Sequence, residues 1–217
     1  MTNSFDHAVF LTYTLPADAI ARGYEPWLRE VDNPFFNAIQ GVGRYENWRI
    51  ARQQTPSLGY THFDFMFVAG EDALRQAWFD PQLDAFRKGW IGKWGYGAAA
   101  PAAVNTFAYL MRRVGAPAVR RGDRLVLRGG DVALEPGDGA RETWVVERAV
   151  RKHYAIGPAP AGESWLVDID RHPGPGFRWL SVAAVDTADA FDRITFCGND
   201  TLCAEATLIA APGFKGP

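Results

Sequence analysis

Gly59-Tyr60-Thr61-His62-Phe63-Asp64-Phe65-Met66-Phe67-Val68 is the stretch on which the reading of the fold turns. A strand sends alternate side chains to opposite faces, so His62, Asp64 and Met66 share one face while Phe63, Phe65 and Phe67 share the other. Three phenylalanines in a row on one side demand cover. Just upstream, Gln53 to Gly59 is loop-like through Pro56 and Gly59, and Gly43 to Arg52 reads as a second strand, so the two form an antiparallel hairpin.

Working outward, Ala8 to Tyr13 is a strand by its apolar and aromatic content, and Ala17 to Val31 has helical spacing through Ile20, Tyr24, Trp27, Leu28 and Val31. Gly23 and Pro26 predict that this helix is short or bent. Beyond the hairpin, Gly70 to Trp90 predicts a helix interrupted at Asp80-Pro81, and Asn105 to Arg113 a fourth strand. The order βαββαβ is that of a ferredoxin-like unit, with strand order 4-1-3-2 and both helices on one face. Residues 123–217 read the same way: strands at Arg124–Arg128, Ser164–Ile169, Phe177–Val185 and Leu202–Ala211, and helices at Glu142–Tyr154 and Thr187–Phe196. The expected fold is α+β, two such units in tandem (1–112 and 123–217) forming an intramolecular α/β-barrel. No residue-level identity between the halves is visible.

The 217 residues are 47% hydrophobic and 22% charged, which excludes a disordered chain. With 23 Lys+Arg against 25 Asp+Glu there is no basic excess for a phosphate backbone, so nucleic acid is not an expected partner. Cys197 and Cys203 are too few for a disulfide scaffold or a zinc site. No signal-like N-terminus or apolar run of about 18 residues is present, so no membrane is expected and a cytoplasmic location is.

The GYTH string at 59–62 with its apolar strand, followed by Asp80-Pro81 and Phe86, resembles the stress-responsive branch of the dimeric α/β-barrel superfamily over residues 5–112, and within it polyketide cyclases of the olivetolic acid cyclase type. His7, opening the first strand, matches the histidine of those cyclases. The resemblance implies that subunits pair their sheets into a barrel, which two units in one chain could do as an internal pseudo-dimer, and that the pocket lies on the face bearing His62. The helix positions that hold a tyrosine and a histidine in the cyclases hold Ala77 and Leu83 here, and the histidine of their His-Pro step is Asp80.

In that strand order Tyr13 and Arg49 come beside His62, and Asn47 and Tyr45 share their face with Asp64 and Met66. His7 is about 20 Å from this end, six residues along a strand, which speaks against a metal triad with His62. No nucleophile elbow or phosphate-binding glycine fingerprint occurs, so no cofactor is expected. Acid–base chemistry remains: His62 as proton carrier, Asp64 as its partner, Tyr13 or Tyr45 as donor, and Arg49 to hold a developing oxyanion. Trp78, Trp90 and Trp94 in the second helical region would line a pocket for an aromatic, phenolic or polyketide-like molecule. The expected activity is that of a lyase of retro-aldol type or an aldol-type cyclase. A cofactor-free monooxygenase or a non-catalytic aromatic-binding protein is the alternative. His153 and His172 read as surface residues, and a monomer or a homodimer fits.

Overall fold

The structure, a computed structural model, describes residues 5–54, 60–94, 107–115, 122–132, 141–150, 165–168, 177–185, 191 and 200–214. Among the described residues there are nine strands: β1 (His7–Tyr13), β2 (Val42–Gln53), β3 (His62–Val68), β4 (Phe107–Val114), β5 (Arg124–Gly130), β6 (Arg141–Val150), β7 (Leu166–Asp168), β8 (Trp179–Ala184) and β9 (Asp200–Ala210). They run in the order β4-β1-β3-β2-β9-β5-β8-β6-β7, and β4 also pairs with β6. That last ladder closes eight antiparallel strands into a barrel, with β7 attached to β6. Closure leaves no open edge on the eight.

The first half follows the expected 4-1-3-2 order, and its registers place Tyr13 and Arg49 opposite His62 and Asn47 opposite Asp64. Its helical layer is more broken than the spacing predicts. Gly23, with φ of +89°, ends a run of turns, and a helix then starts as α1 (Tyr24–Trp27), widens into a π-helical segment (Leu28–Asp32) and resumes as α2 (Asn33–Ala38). Pro34 has no N–H to give to the carbonyl four residues back, and a widened turn absorbs the missing bond. The later helix does break at Asp80-Pro81, into α3 (Glu71–Trp78) and α4 (Pro81–Trp94), where the Asp80 carboxylate accepts from the Gln82 amide at 2.8 Å.

In the second half the strand order β9-β5-β8-β6 repeats that of β4-β1-β3-β2. The helix expected at 142–154 is overturned over 142–150, which belong to strand β6, and 151–154 lie outside the described residues. Its burial alternates, with Glu142, Trp144 and Val146 inside and Thr143 and Val145 half-buried, a period of two that helical spacing does not satisfy. The helix expected at 187–196 falls almost wholly outside the described residues. Two ferredoxin-like units are therefore not established, but the registers coincide. Trp48 lies opposite Phe63 and Trp144 opposite Leu180; Glu46 lies opposite Phe65 and Glu142 opposite Val182. At both places an indole Nε1 donates to the glutamate two residues before it, at 3.2 Å. This Glu-x-Trp pair is a residue-level repeat that only the superposed ladders reveal.

The barrel interior is filled, not hollow. Phe10, Phe63, Phe65, Phe67, Trp48 and Trp144 pack with Leu127, Leu180 and Leu202 into one cluster, with Phe10 5.2 Å and 5.3 Å from the rings of Phe63 and Phe65. Between the halves, Glu205 on β9 is held by Arg52 of β2 at 2.6 Å and Arg124 of β5 at 3.0 Å. With the interior packed, any cavity at the expected face lies outside the barrel, under the helices. Gly41 links α2 to β2 at φ of +93°, and an added Cβ there would strike the Ala73 carbonyl oxygen of α3. Gly41→Ala is expected to destabilise the protein by about 1–3 kcal/mol or more, from the left-handed conformation alone, in denaturant unfolding.

Candidate functional site

On β1, β2 and β3 the side chains not needed inside the barrel face the helices, and there the apolar layer is interrupted by carboxylates. Asp64 is 5% exposed and Asp32, at the end of the π-helical segment, 3%. A buried carboxylate requires donors. Asp64 accepts from the hydroxyl of Tyr45 at 2.7 Å and of Tyr13 at 3.2 Å, and from the Asn47 amide at 2.9 Å. The same Asn47 nitrogen donates to Asp32 at 2.8 Å, and Asn47 is held in turn by Asn33 at 2.9 Å. One amide thus bridges two carboxylates from different layers of the fold.

These groups form the floor of a cavity between sheet and helices, walled by Tyr24, Phe36, Trp78, Phe86 and Trp90, with Leu11 and Arg87 completing it. About 590 Å³ is free of protein atoms, part of it continuous with solvent. Trp90 donates to the Tyr24 hydroxyl at 3.2 Å, and the Arg87 guanidinium lies 4.2 Å from the ring centre of Trp78. Burial and the neighbouring Asp64 push the Asp32 carboxyl well above the usual carboxylate range, although its bonds to Asn47 and Tyr45 pull the other way. Burial, then Asp64, hold the Tyr13 phenol protonated; for Tyr45 it is burial, then Asp32.

Of the residues singled out from sequence, Tyr13, Tyr45, Asp64, Trp78 and Trp90 line this cavity, and Asn47 ties its floor together. His62 and Arg49 do not line it. His62 is 2% exposed, stacks on Tyr13 with ring centres 5.6 Å apart, and has its Nδ1 2.9 Å from the Thr61 hydroxyl. Burial, and secondarily Arg49, lower its pKa to about 3, so the imidazole is neutral near pH 7. Arg49 is directed to Glu25 at 2.9 Å and is 46% exposed. Met66 packs beneath the helices with Phe36 and Leu74, and Trp94 with Tyr24 and Trp27. His7 sits opposite Val68 at the far end of β1. His153, His172 and Cys197 lie outside the described residues; Cys203 is described and buried on β9.

Asp32, Tyr24, Phe36, Phe86 and Arg87 were not anticipated. For Asp32 the one sequence signal is Asp32-Asn33-Pro34 closing an expected helix, where acid, amide and proline conflict with a regular turn. Among the described residues no group of three or more His, Cys, Asp or Glu is arranged to hold a metal ion, and no helix is long and apolar enough to cross a membrane.

No family model and no curated protein matches the chain. Among solved structures, one provisionally named a chlorite dismutase aligns over 94% of both chains, with a TM-score of 0.44 and 10% identity. So slight a likeness carries no argument about activity or ligand. Neither the stress-responsive branch nor a polyketide cyclase is shown by these comparisons, and what stands is a closed antiparallel barrel with helices outside it.

Two pH effects follow. His62 is protonated below about pH 6.5 when unfolded but only near pH 3 when folded, so its contribution is complete above pH 6.5 and is lost as pH falls toward 3. His62→Phe is expected to flatten the stability profile in that window, removing a slope of up to about 1.4 kcal/mol per pH unit. Asp32 has the opposite sign: with its folded pKa raised, the stability it contributes is lost as pH rises above its ordinary value of 3.8. Asp32→Asn should therefore melt higher than wild type near pH 7, with the gain shrinking toward pH 4 in thermal unfolding.

Proposed function

We propose that the protein is a cofactor-independent acid–base enzyme acting on a small aromatic molecule, making or breaking a C–C bond beside a phenol or carbonyl, with the retro-aldol lyase direction preferred to aldol-type cyclisation. The observation that supports it is the Asp64 carboxylate held by Tyr13, Tyr45 and Asn47 on the floor of a cavity walled by aromatic rings. An aromatic ligand has flat apolar surface to bury there and hydroxyls to place on a few convergent polar groups. Acid–base groups alone suffice for the chemistry.

In the lyase direction Asp64 takes the proton of a substrate hydroxyl as the adjacent C–C bond breaks and a carbonyl product forms. The electron pair left on the second fragment is delocalised toward its oxygen, which a tyrosine hydroxyl stabilises by turning its O–H from the now protonated Asp64 to it, and the proton is returned to carbon. Until it takes that proton, the Asp64 carboxylate is held in place by the Tyr45 and Tyr13 hydroxyls. In this reading His62, neutral and stacked on Tyr13, orients that phenol. Arg49 would serve the oxyanion only after leaving Glu25. Internal closure of the barrel supports a monomer with an internal pseudo-dimer over an obligate homodimer. Nucleic acid and membrane play no part in this reading.

Purified protein incubated with a panel of phenolic hydroxyketones and hydroxylated diaryl compounds, without added metal or cofactor, is expected to release a small aldehyde detectable by mass spectrometry. Asp64→Asn should lower kcat about 100-fold or more and Tyr45→Phe at least about tenfold. Loss of water would favour the cyclase direction. Gain of oxygen with oxygen consumption would replace this reading by the monooxygenase one. Tight ligand binding without turnover across the panel would leave an aromatic-binding protein.

A further inference from the structure

The cavity has a charge character that the choice of reaction does not explain. Its floor holds two carboxylates, and its walls are aromatic, built from Tyr24, Phe36, Trp78, Phe86 and Trp90. Around Asp32 stand Asp64, Asn47 and the phenols of Tyr13, Tyr24 and Tyr45, and no Lys or Arg among the described residues forms an ion pair with it. Arg49, on the adjoining strand, is turned to Glu25. Arg87 enters the lining with its guanidinium against the Trp78 ring. The chain also distorts itself to deliver Asp32: the carboxylate is the last residue of a π-helical segment, a rare conformation found often at functional sites.

We propose that the substrate is an aromatic amine, bound as the cation with its ring against Trp78, Trp90 and Phe86 and its ammonium beside Asp32. The proposal rests on reading this cavity as the substrate site and names the class of molecule that fits it. A full charge about 5 Å from a buried carboxylate, at an effective dielectric constant of about 20, changes affinity on the order of a hundredfold, in favour of a cation and against an anion. Aromatic faces add a further attraction for an ammonium group, as in quaternary-ammonium sites. Asp32 and Asp64 thereby divide the work: Asp32 neutralises the substrate's charge, and Asp64, fixed by its two tyrosines, moves the proton. Because a cation favours ionised Asp32, whose proton burial and Asp64 otherwise retain, binding expels that proton and strengthens as pH rises.

Three matched probes test this: 4-hydroxyphenethylamine, its neutral alcohol isostere 4-hydroxyphenethyl alcohol, and 4-hydroxyphenylacetate, titrated by calorimetry against the intact wild-type chain at about pH 8 and about pH 5, where the amine is protonated throughout. The amine is expected to bind at least about tenfold more tightly than the alcohol at the higher pH and the acid most weakly, with the preference narrowing at the lower pH. Asp32→Asn should bring amine and alcohol within about twofold of each other while leaving alcohol binding in place. Equal affinity for amine and alcohol in the wild type would overturn the proposal, as would a preference that survives Asp32→Asn. The pH comparison in the wild type needs no variant. Binding of the alcohol without discrimination sinks the cation but spares the acid–base reading; the expected order of binding, with no turnover of any compound in the hydroxyketone and diaryl panel, sinks the acid–base reading alone; binding of none of the three removes both.

Discussion

A carboxylate placed in a dry layer between a sheet and its covering helices survives only if donors surround it, and much of the first half is arranged around that need at Asp64. Tyr13 comes from β1, Tyr45 and Asn47 from β2, and Asp64 from β3, so three adjacent strands contribute to one hydrogen-bonded group. Asn47 then reaches out of the sheet to Asp32, which couples the strand layer to the helical one. Losing a donor here would leave charge stranded in an apolar surrounding, a cost of about 1–3 kcal/mol or more.

The packed barrel is what makes this layer available. Phenylalanines and tryptophans pack on the inside, and the alternation along β3 sends His62, Asp64 and Met66 outward beneath the helices. The second half completes the closure, and among its described residues the floor is not repeated: in the matching register Ser181 takes the place of Asp64, Thr143 that of Asn47 and Gly130 that of Tyr13. The Glu-x-Trp bond is kept in both halves because a buried glutamate and an indole N–H each need the other at the same point of the barrel wall.

Within the site, proximity in register and participation in the cavity separate cleanly. His62 and Arg49 face each other across β2 and β3, yet one is sealed against Tyr13 and the other reaches outward to Glu25. A long flexible guanidinium reaches the hydrated rim, and there Glu25 pairs with it at 2.9 Å. An imidazole without that freedom is simply desolvated, which is why its basicity drops.

Local pattern was enough for β1 to β4, for their 4-1-3-2 order and for the pairing of Tyr13 with His62 and Asn47 with Asp64, because strand alternation and antiparallel register are set by neighbours in sequence and by one topological rule. It was enough, too, to put Asp64, Tyr13, Tyr45 and Asn47 on one face. It misassigned residues 142–150, where the alternation of Glu142, Trp144 and Val146 is as visible as the apolar content that suggested a helix, but becomes decisive only when both edges find partner strands. Asp32 needed the third dimension: a carboxylate at the end of a helical segment ordinarily faces water, and only the approach of Asn47, 15 positions away, makes burial tolerable. Which way Arg49 turns was likewise decided by Glu25, a tertiary partner that strand periodicity does not encode.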